Sequence, residues 1–254
     1  MTPAAPPARV LAAFGCPGDP VPLAGGQGEC WRAGDVVLKP APDDAALLAS
    51  VMADVVETPA FRVARPVASA DGWVCAGWTA WTFVPGRHRD DRIADEVAVC
   101  DAFHAALAHL PRPAFETWSL YRQADAVAWG EAAYDGGGPG GPLLDRLAAL
   151  REPVGLPDQL VHGDLGGNVL FADGLPPAVI DPALYWRPAA YARAVVVADA
   201  VTWRGADPAV LDLAPFGCVV RAVAFRVAAS AGRGEGPRPA LLRTVELLER
   251  RQGQ

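Results

Sequence analysis

The hydrophobic and polar positions follow two different rhythms, and the change falls about a third of the way along the chain. Residues 20–40, VPLAGGQGECWRAGDVVLKP, are short apolar or aromatic runs broken by GGQGE and AGD. That punctuation predicts two or three hairpin strands. Residues 8–14 fit a short helix ahead of them. Between 43 and 57, Leu47, Leu48, Val51, Met52, Val55 and Val56 recur at helical spacing, with Asp43 or Asp44 as N-cap and Thr58-Pro59 as the stop. Residues 61–68 and 73–84 read as two further strands around the turn ADG. Beyond VPGRH the rhythm becomes helical. Ile93, Val97, Cys100, Phe103, His104 and Leu107 form one stripe over 91–110, and residues 188–203, 207–230 and 238–251 continue in the same manner. Two short strands near 169–172 and 177–180 interrupt this part, and DGGGPGGP at 135–142 is a loop. The pattern predicts an α+β chain of two lobes with a cleft between them. A β-rich N-lobe covers 1–85 and a mainly helical C-lobe covers 86–254, with the hinge near Phe83–Gly86.

Bulk properties narrow the function. The chain has 254 residues, 52% of them hydrophobic, enough for a sizeable core. A net charge of −7 argues against a nucleic-acid-binding surface, which needs clustered Lys and Arg; it leaves room for a cationic small-molecule acceptor, but bulk charge says little about a pocket and the Arg-rich GRHRDDR points the other way. Five scattered cysteines without C-x-x-C read as reduced thiols in a cytoplasmic protein. The first fifteen residues lack the pattern of a secretory signal. AVVVADAV is too short to span a bilayer and carries Asp199, so no membrane role is expected.

Chemistry concentrates in LVHGDLGGNVLF, residues 160–171, and VIDPALYW, residues 179–186. Two strands joined by a short turn would bring Asn168, just before one, beside Asp181, just after the other. Their oxygens suit Mg²⁺, which takes one or two carboxylates plus water and phosphate oxygens. Asp164, left out of the metal shell, can take the proton of an attacking hydroxyl. Phosphoryl transfer needs these two parts: a cation against phosphate charge and a base that orients the nucleophile. With four histidines in the chain, a zinc hydrolase built around His162 and Asp164 has too few ligands.

HGDL, the following Asn and ID resemble the aminoglycoside phosphotransferase and choline kinase branch of the protein-kinase-like fold. The resemblance covers about residues 20–200 and implies an ATP- or GTP-dependent phosphotransferase acting on a small-molecule hydroxyl. It gives the catalytic loop to His162 and Asp164, with Asp164 the base and His162 holding the loop by hydrogen bonds, and it gives Mg²⁺ to Asn168 and Asp181. Lys39 in VVLKP, the chain's only lysine, falls on the strand whose lysine binds the α- and β-phosphates. Gly26 and Gly28 fall where a glycine-bearing hairpin covers the phosphates, and the backbone around Phe83 and Val84 falls on the adenine-binding connector. Asp199 matches an acid that braces the catalytic loop. Trp186 and Trp203 follow the metal motif, where relatives line the acceptor pocket.

The chain departs from that pattern in four places. Three residues, not four, separate Asp164 from Asn168. Pro182 follows Asp181 and should push it into an extended conformation. The acidic partner of Lys39 is open among Asp44, Asp54 and Glu57. GGQGE is a loose copy of a glycine-rich fingerprint. These departures leave a second reading, a nucleotide-binding pseudokinase-like module without turnover.

Overall fold

A computed structural model describes residues 5–23, 28–115, 117–134, 138 and 140–253. In chain order its elements are α1 (Ala8–Ala13), β1 (Val21–Pro22), β2 (Trp31–Ala33), β3 (Val36–Pro40), α2 (Ala45–Asp54), β4 (Arg62–Val63), β5 (Pro66–Val67), β6 (Val74–Cys75) and β7 (Trp78–Thr82). They continue with α3 (Ile93–Leu107), α4 (Leu120–Trp129), α5 (Gly141–Ala149), β8 (Gln159–His162), β9 (Val169–Ala172), β10 (Leu175–Val179) and β11 (Leu184–Arg187). The chain ends with α6 (Ala189–Arg204), α7 (Phe216–Gly232) and α8 (Pro239–Gln252), with a 3₁₀ turn at Pro208–Leu213 before α7.

These elements divide into two compact units. The first comprises Met1–His88, Phe115–Thr117 and Val169–Pro182; the second is Arg89–Ala114, Trp118–Asn168 and Ala183–Gln254. In the first unit a sheet runs β1-β2-β3-β7-β5, with β6 also on β7. The turn AGD joins β2 to β3, with Ala33 opposite Val36 and Gly34 at φ +61°, a value that favours glycine at the head of a two-residue hairpin. The inward positions Leu38, Ala33 and Ala80 close on Val10 and Phe14, which seats α1 against the sheet.

Residues 169–182 differ from the sequence expectation, which gave them to the C-lobe. β10 pairs in parallel with β4 and antiparallel with β9, and the backbone of Phe171 exchanges two hydrogen bonds with Arg87 at 2.9 and 3.0 Å. Their backbone pairing therefore lies with the first unit. Val169 stands opposite Val179, the register of two strands joined by a short turn.

The second unit is built on α6 and α7. Both have long runs of Ala and Val, and nearly every position from Tyr191 to Ala200 and from Gly217 to Phe225 is buried. Small side chains allow helices to approach closely, so α4 and α6 both pack on α7. Two strands in this unit, β8 and β11, pair antiparallel with Leu184 opposite His162.

Candidate active site

The second unit holds the loop between β8 and β9. His162 ends β8 fully buried. Its Nδ1 accepts the N–H of Asp164 at 3.2 Å and of Ala183 at 3.4 Å, which ties the loop to the start of β11. Its own N–H donates to His104 Nε2 at 2.9 Å, and His104 Nδ1 lies 2.6 Å from the Cys100 carbonyl. His104 is therefore the neutral tautomer with the proton on Nδ1. Burial pushes its pKa down to about 3. The stripe residue His104 is thus a prop beneath the loop.

Each glycine in HGDLGGN has a steric reason. A Cβ on Gly163 would stand 2.5 Å from the Tyr185 ring. One on Gly166 would stand 3.2 Å from Asp199 Oδ2 and 3.4 Å from the Val196 backbone, and Gly167 sits at φ +88°. Leu165 is fully buried and pins the turn. Asn168 closes it: its N–H donates to the Leu165 carbonyl at 2.9 Å and its side-chain amide to the Asp164 carbonyl at 2.6 Å. This compact turn accommodates the loop that is one residue short. Glu96 on α3 is buried and accepts the Gly167 N–H at 3.2 Å, while Arg204 at the end of α6 meets its other oxygen at 2.7 Å.

Asp164 faces an arginine that sequence reasoning missed. One nitrogen of Arg226, on α7, donates to Asp164 Oδ1 and Asp199 Oδ2, each at 2.5 Å. Its Nε reaches Asp199 Oδ1 at 3.0 Å. Burial opposes the charge on Arg226, but Asp199 and Asp164 outweigh it and hold the guanidinium well above its ordinary pKa. Asp199 also accepts the Trp203 indole N–H at 3.1 Å. Asp164, Asp199, Trp203, Arg226, Arg233 and Arg238 line a cavity of about 340 Å³. Trp186 stands half-buried on β11 opposite Leu160 and is not among its lining residues.

The first unit holds the other predicted residues. Lys39, on β3, pairs with Asp181, and its ammonium lies 5.3 Å from the centre of the Trp81 ring. Glu57, one of the acids considered for Lys39, instead accepts the Val63 N–H at 2.9 Å and meets Arg65 at 3.4 Å. Asp181 is not extended, as Pro182 predicts; its φ is +50°. Aspartate tolerates the left-handed region better than most residues, and that turn carries the chain out of β10. The Phe83 N–H already donates to the Asp35 carbonyl at 2.8 Å, and the Arg32 guanidinium covers its ring at 3.5 Å. That donor is therefore committed within the sheet. Val84 follows, half-buried. Gly28 has φ +75° and open space where a Cβ would be, whereas Gly26 lies outside the described residues. The Asp181 carboxylate and the Asn168 amide oxygen are each a hard donor of the kind Mg²⁺ accepts.

Glu96, Arg204 and Arg226 are the residues the sequence reading missed. Asp199 carried a signal, because a carboxylate in an apolar helix needs a partner. Its partner stands 27 positions away on another helix, beyond any local pattern.

A two-part chain with a lone strand lysine and an HGD loop on a helical scaffold defines the protein-kinase-like class. The family described as "Phosphotransferase enzyme family" matches residues 31–210, and the chain belongs to it. Among solved structures, a thermostable mutant of aminoglycoside phosphotransferase APH(4)-Ia in its apo form is similar at 17% identity. It covers 96% of this chain and 99% of its own, with a TM-score of 0.59. A putative fructosamine-3-kinase from Haemophilus somnus 129PT is similar at 14% identity, covering 95% and 94%, with a TM-score of 0.54. A ternary complex of the APH(4)-Ia D198A mutant with ADP and hygromycin B has 16% identity, coverage of 94% and 97%, and a TM-score of 0.54. No curated protein matches. These likenesses establish the protein-kinase-like fold.

Proposed function

We propose that this protein is an ATP- or GTP-dependent phosphotransferase that phosphorylates a hydroxyl of a small molecule. The observation that carries this reading is the Asp164 carboxylate, held by Arg226 at the wall of a small-molecule-sized cavity. Asp164 takes the proton of the acceptor hydroxyl as its oxygen attacks the γ-phosphorus and the nucleoside diphosphate leaves. Lys39 supplies a compact cation for the phosphates. Asp181 and Asn168 are the proposed metal ligands. Magnesium, when bound, offsets the charge on the transferring phosphoryl group. His162, His104, Glu96 and Gly167 keep the loop in one shape, and Asp199 orients Arg226.

The Arg226 contact also favours a second reading. A base tied to a guanidinium is masked, which suits a nucleotide-binding module without turnover. Two variants, followed by thermal shift with Mg·ATP and by ADP release over a panel of hydroxylated acceptors, separate the two. In an enzyme, Asp164→Asn abolishes transfer and leaves the nucleotide-induced shift intact, while Arg226→Gln lowers turnover because the base loses its orientation. Full activity in Asp164→Asn would remove the assigned base. Turnover that rises in Arg226→Gln would show the arginine to be a mask.

A further inference from the structure

The cavity beside Asp164 has two electrostatic ends, and the charge count differs between them. At one end, two carboxylates, Asp164 and Asp199, share the single guanidinium of Arg226. At the other, two guanidiniums share one carboxylate: Arg233 Nε meets Glu235 Oε1 at 3.0 Å, and Arg238 Nη2 meets Glu235 Oε2 at 2.9 Å. Both arginines line the cavity. Each guanidinium has five N–H donors in a fixed fork, so one shared carboxylate cannot satisfy both. Arg233 is the better partnered of the two: its Nη2 also reaches Glu235 Oε2 at 3.3 Å and Ser230 at 3.4 Å, and it interacts with the Tyr121 hydroxyl, whereas Arg238 reaches Glu235 through Nη2. The acidic end is the reverse case: both of its carboxylates are held by Arg226.

The walls between these ends are aromatic. Trp203 and Tyr121 both line the cavity while remaining 40% and 41% exposed. The Arg238 guanidinium stands over the Trp203 ring at 5.7 Å from its centre. Flat aromatic surface left open beside hydrogen-bond donors suits the face of a ring bearing hydroxyls. A volume of about 340 Å³ is at the small end for ligand sites, which run from about 300 to 1,000 Å³.

We infer that the acceptor is a small hydroxylated molecule carrying an anionic group, carboxylate or phosphate, which Arg233 and Arg238 bind while its hydroxyl lies at Asp164. A polycationic acceptor is disfavoured at the arginine end, where Arg233 and Arg238 outnumber Glu235, while at the other end Asp164 and Asp199 already hydrogen-bond Arg226. The protein's net charge of −7 is therefore misleading about its ligand. Local charge at the site, not the total, selects the acceptor. This inference rests on the cavity being the acceptor site of a phosphotransferase.

Three probes that share one ring and differ in charge test it: D-glucuronate, D-glucose and D-glucosamine. Binding is followed by the indole N–H resonance of Trp203, assigned with Trp203→Phe, in the full-length protein. Glucuronate should bind at least about tenfold more tightly than glucosamine. Arg233→Gln and Arg238→Gln should each weaken glucuronate by about tenfold, with unchanged thermal midpoints. Equal or tighter glucosamine binding, no Trp203 response to any probe, or unaltered glucuronate affinity in both arginine variants would overturn the inference. ADP release with Mg·ATP separates it from the underlying reading. A preference for glucuronate without transfer to any hydroxy acid upholds the anion site and counts against the phosphotransferase. Transfer to neutral or cationic acceptors with no preference for anions does the opposite.

Discussion

At the scale of single residues, the shortened loop is a problem in space that two glycines solve in different ways. Gly167 is required for its backbone angle: φ is +88° and nothing lies within 4 Å of a Cβ built there. Gly166 is required for its size, since a Cβ would press on Asp199 Oδ2 at 3.2 Å. The two alanine variants should therefore separate. Gly167→Ala should cost about 1–2 kcal/mol of stability, the strain of a left-handed alanine, read from the denaturant midpoint. Gly166→Ala should cost less stability and more activity, because it displaces the carboxylate that orients Arg226 and, through it, Asp164. If both variants lose activity in proportion to stability, Asp199 is a structural brace alone. Asp181 makes the complementary point. Its left-handed backbone could not be foreseen from the following proline, because that rule describes the average residue rather than one ion-paired to Lys39.

At the scale of elements, what could be read in the sequence was what repeats locally. The hairpin β9–β10 was legible because two short apolar runs flank a turn. The helices over 45–54, 93–107, 189–204 and 239–252 were legible because their apolar stripes recur every three or four residues. β8 and β11 were not, since four residues with a mixed pattern fit a strand, a loop or the end of a helix equally well. Their pairing also places Arg187 against α4, which no local pattern announces. Arg187 meets Asp125 Oδ2 at 2.6 Å and Glu131 Oε1 at 2.6 Å. Burial raises the pKa of Asp125 despite this partner, whereas the bond from Arg187 lowers that of the more exposed Glu131. The Asp125 carboxylate is therefore tolerated only because Arg187 faces it. Arg187→Met should destabilise by about 3–5 kcal/mol, because an uncompensated carboxylate is left buried. Adding Asp125→Leu should recover much of that loss, a double-mutant cycle by denaturant unfolding being the measurement. Additive losses would mean that the two side chains act separately.

At the scale of the whole molecule, one buried histidine gives stability a pH dependence of defined sign. His104 is held neutral inside the second unit, with its pKa lowered to about 3 from an ordinary 6.5. The unfolded chain takes up this proton below pH 6.5 and the folded chain does not. Stability from this group is therefore complete above about pH 6.5 and declines as pH falls towards 3. At pH 5 the loss is about 2 kcal/mol, from about 1.4 kcal/mol for each unit of pH between the two pKa values. The carboxylates of Glu131, Glu235 and Glu249 are held below their ordinary 4.5 by arginine bonds and add acid lability only below that value. Two windows should then be visible: a decline between pH 6.5 and about 5 set by His104, and a steeper one below. Urea unfolding from pH 8 to 4 tests the order. His104→Gln, which preserves hydrogen-bonding groups beneath the loop but cannot gain a proton, should flatten the upper window and leave the lower one in place. If the upper window survives that substitution, the proton that governs it belongs to another group. Should the variant unfold at neutral pH, the wild-type proton uptake on unfolding at pH 5.5, measured by calorimetry in buffers of different ionisation enthalpy, still decides the matter. Nearly one proton is expected for His104, and none would refute its neutral burial.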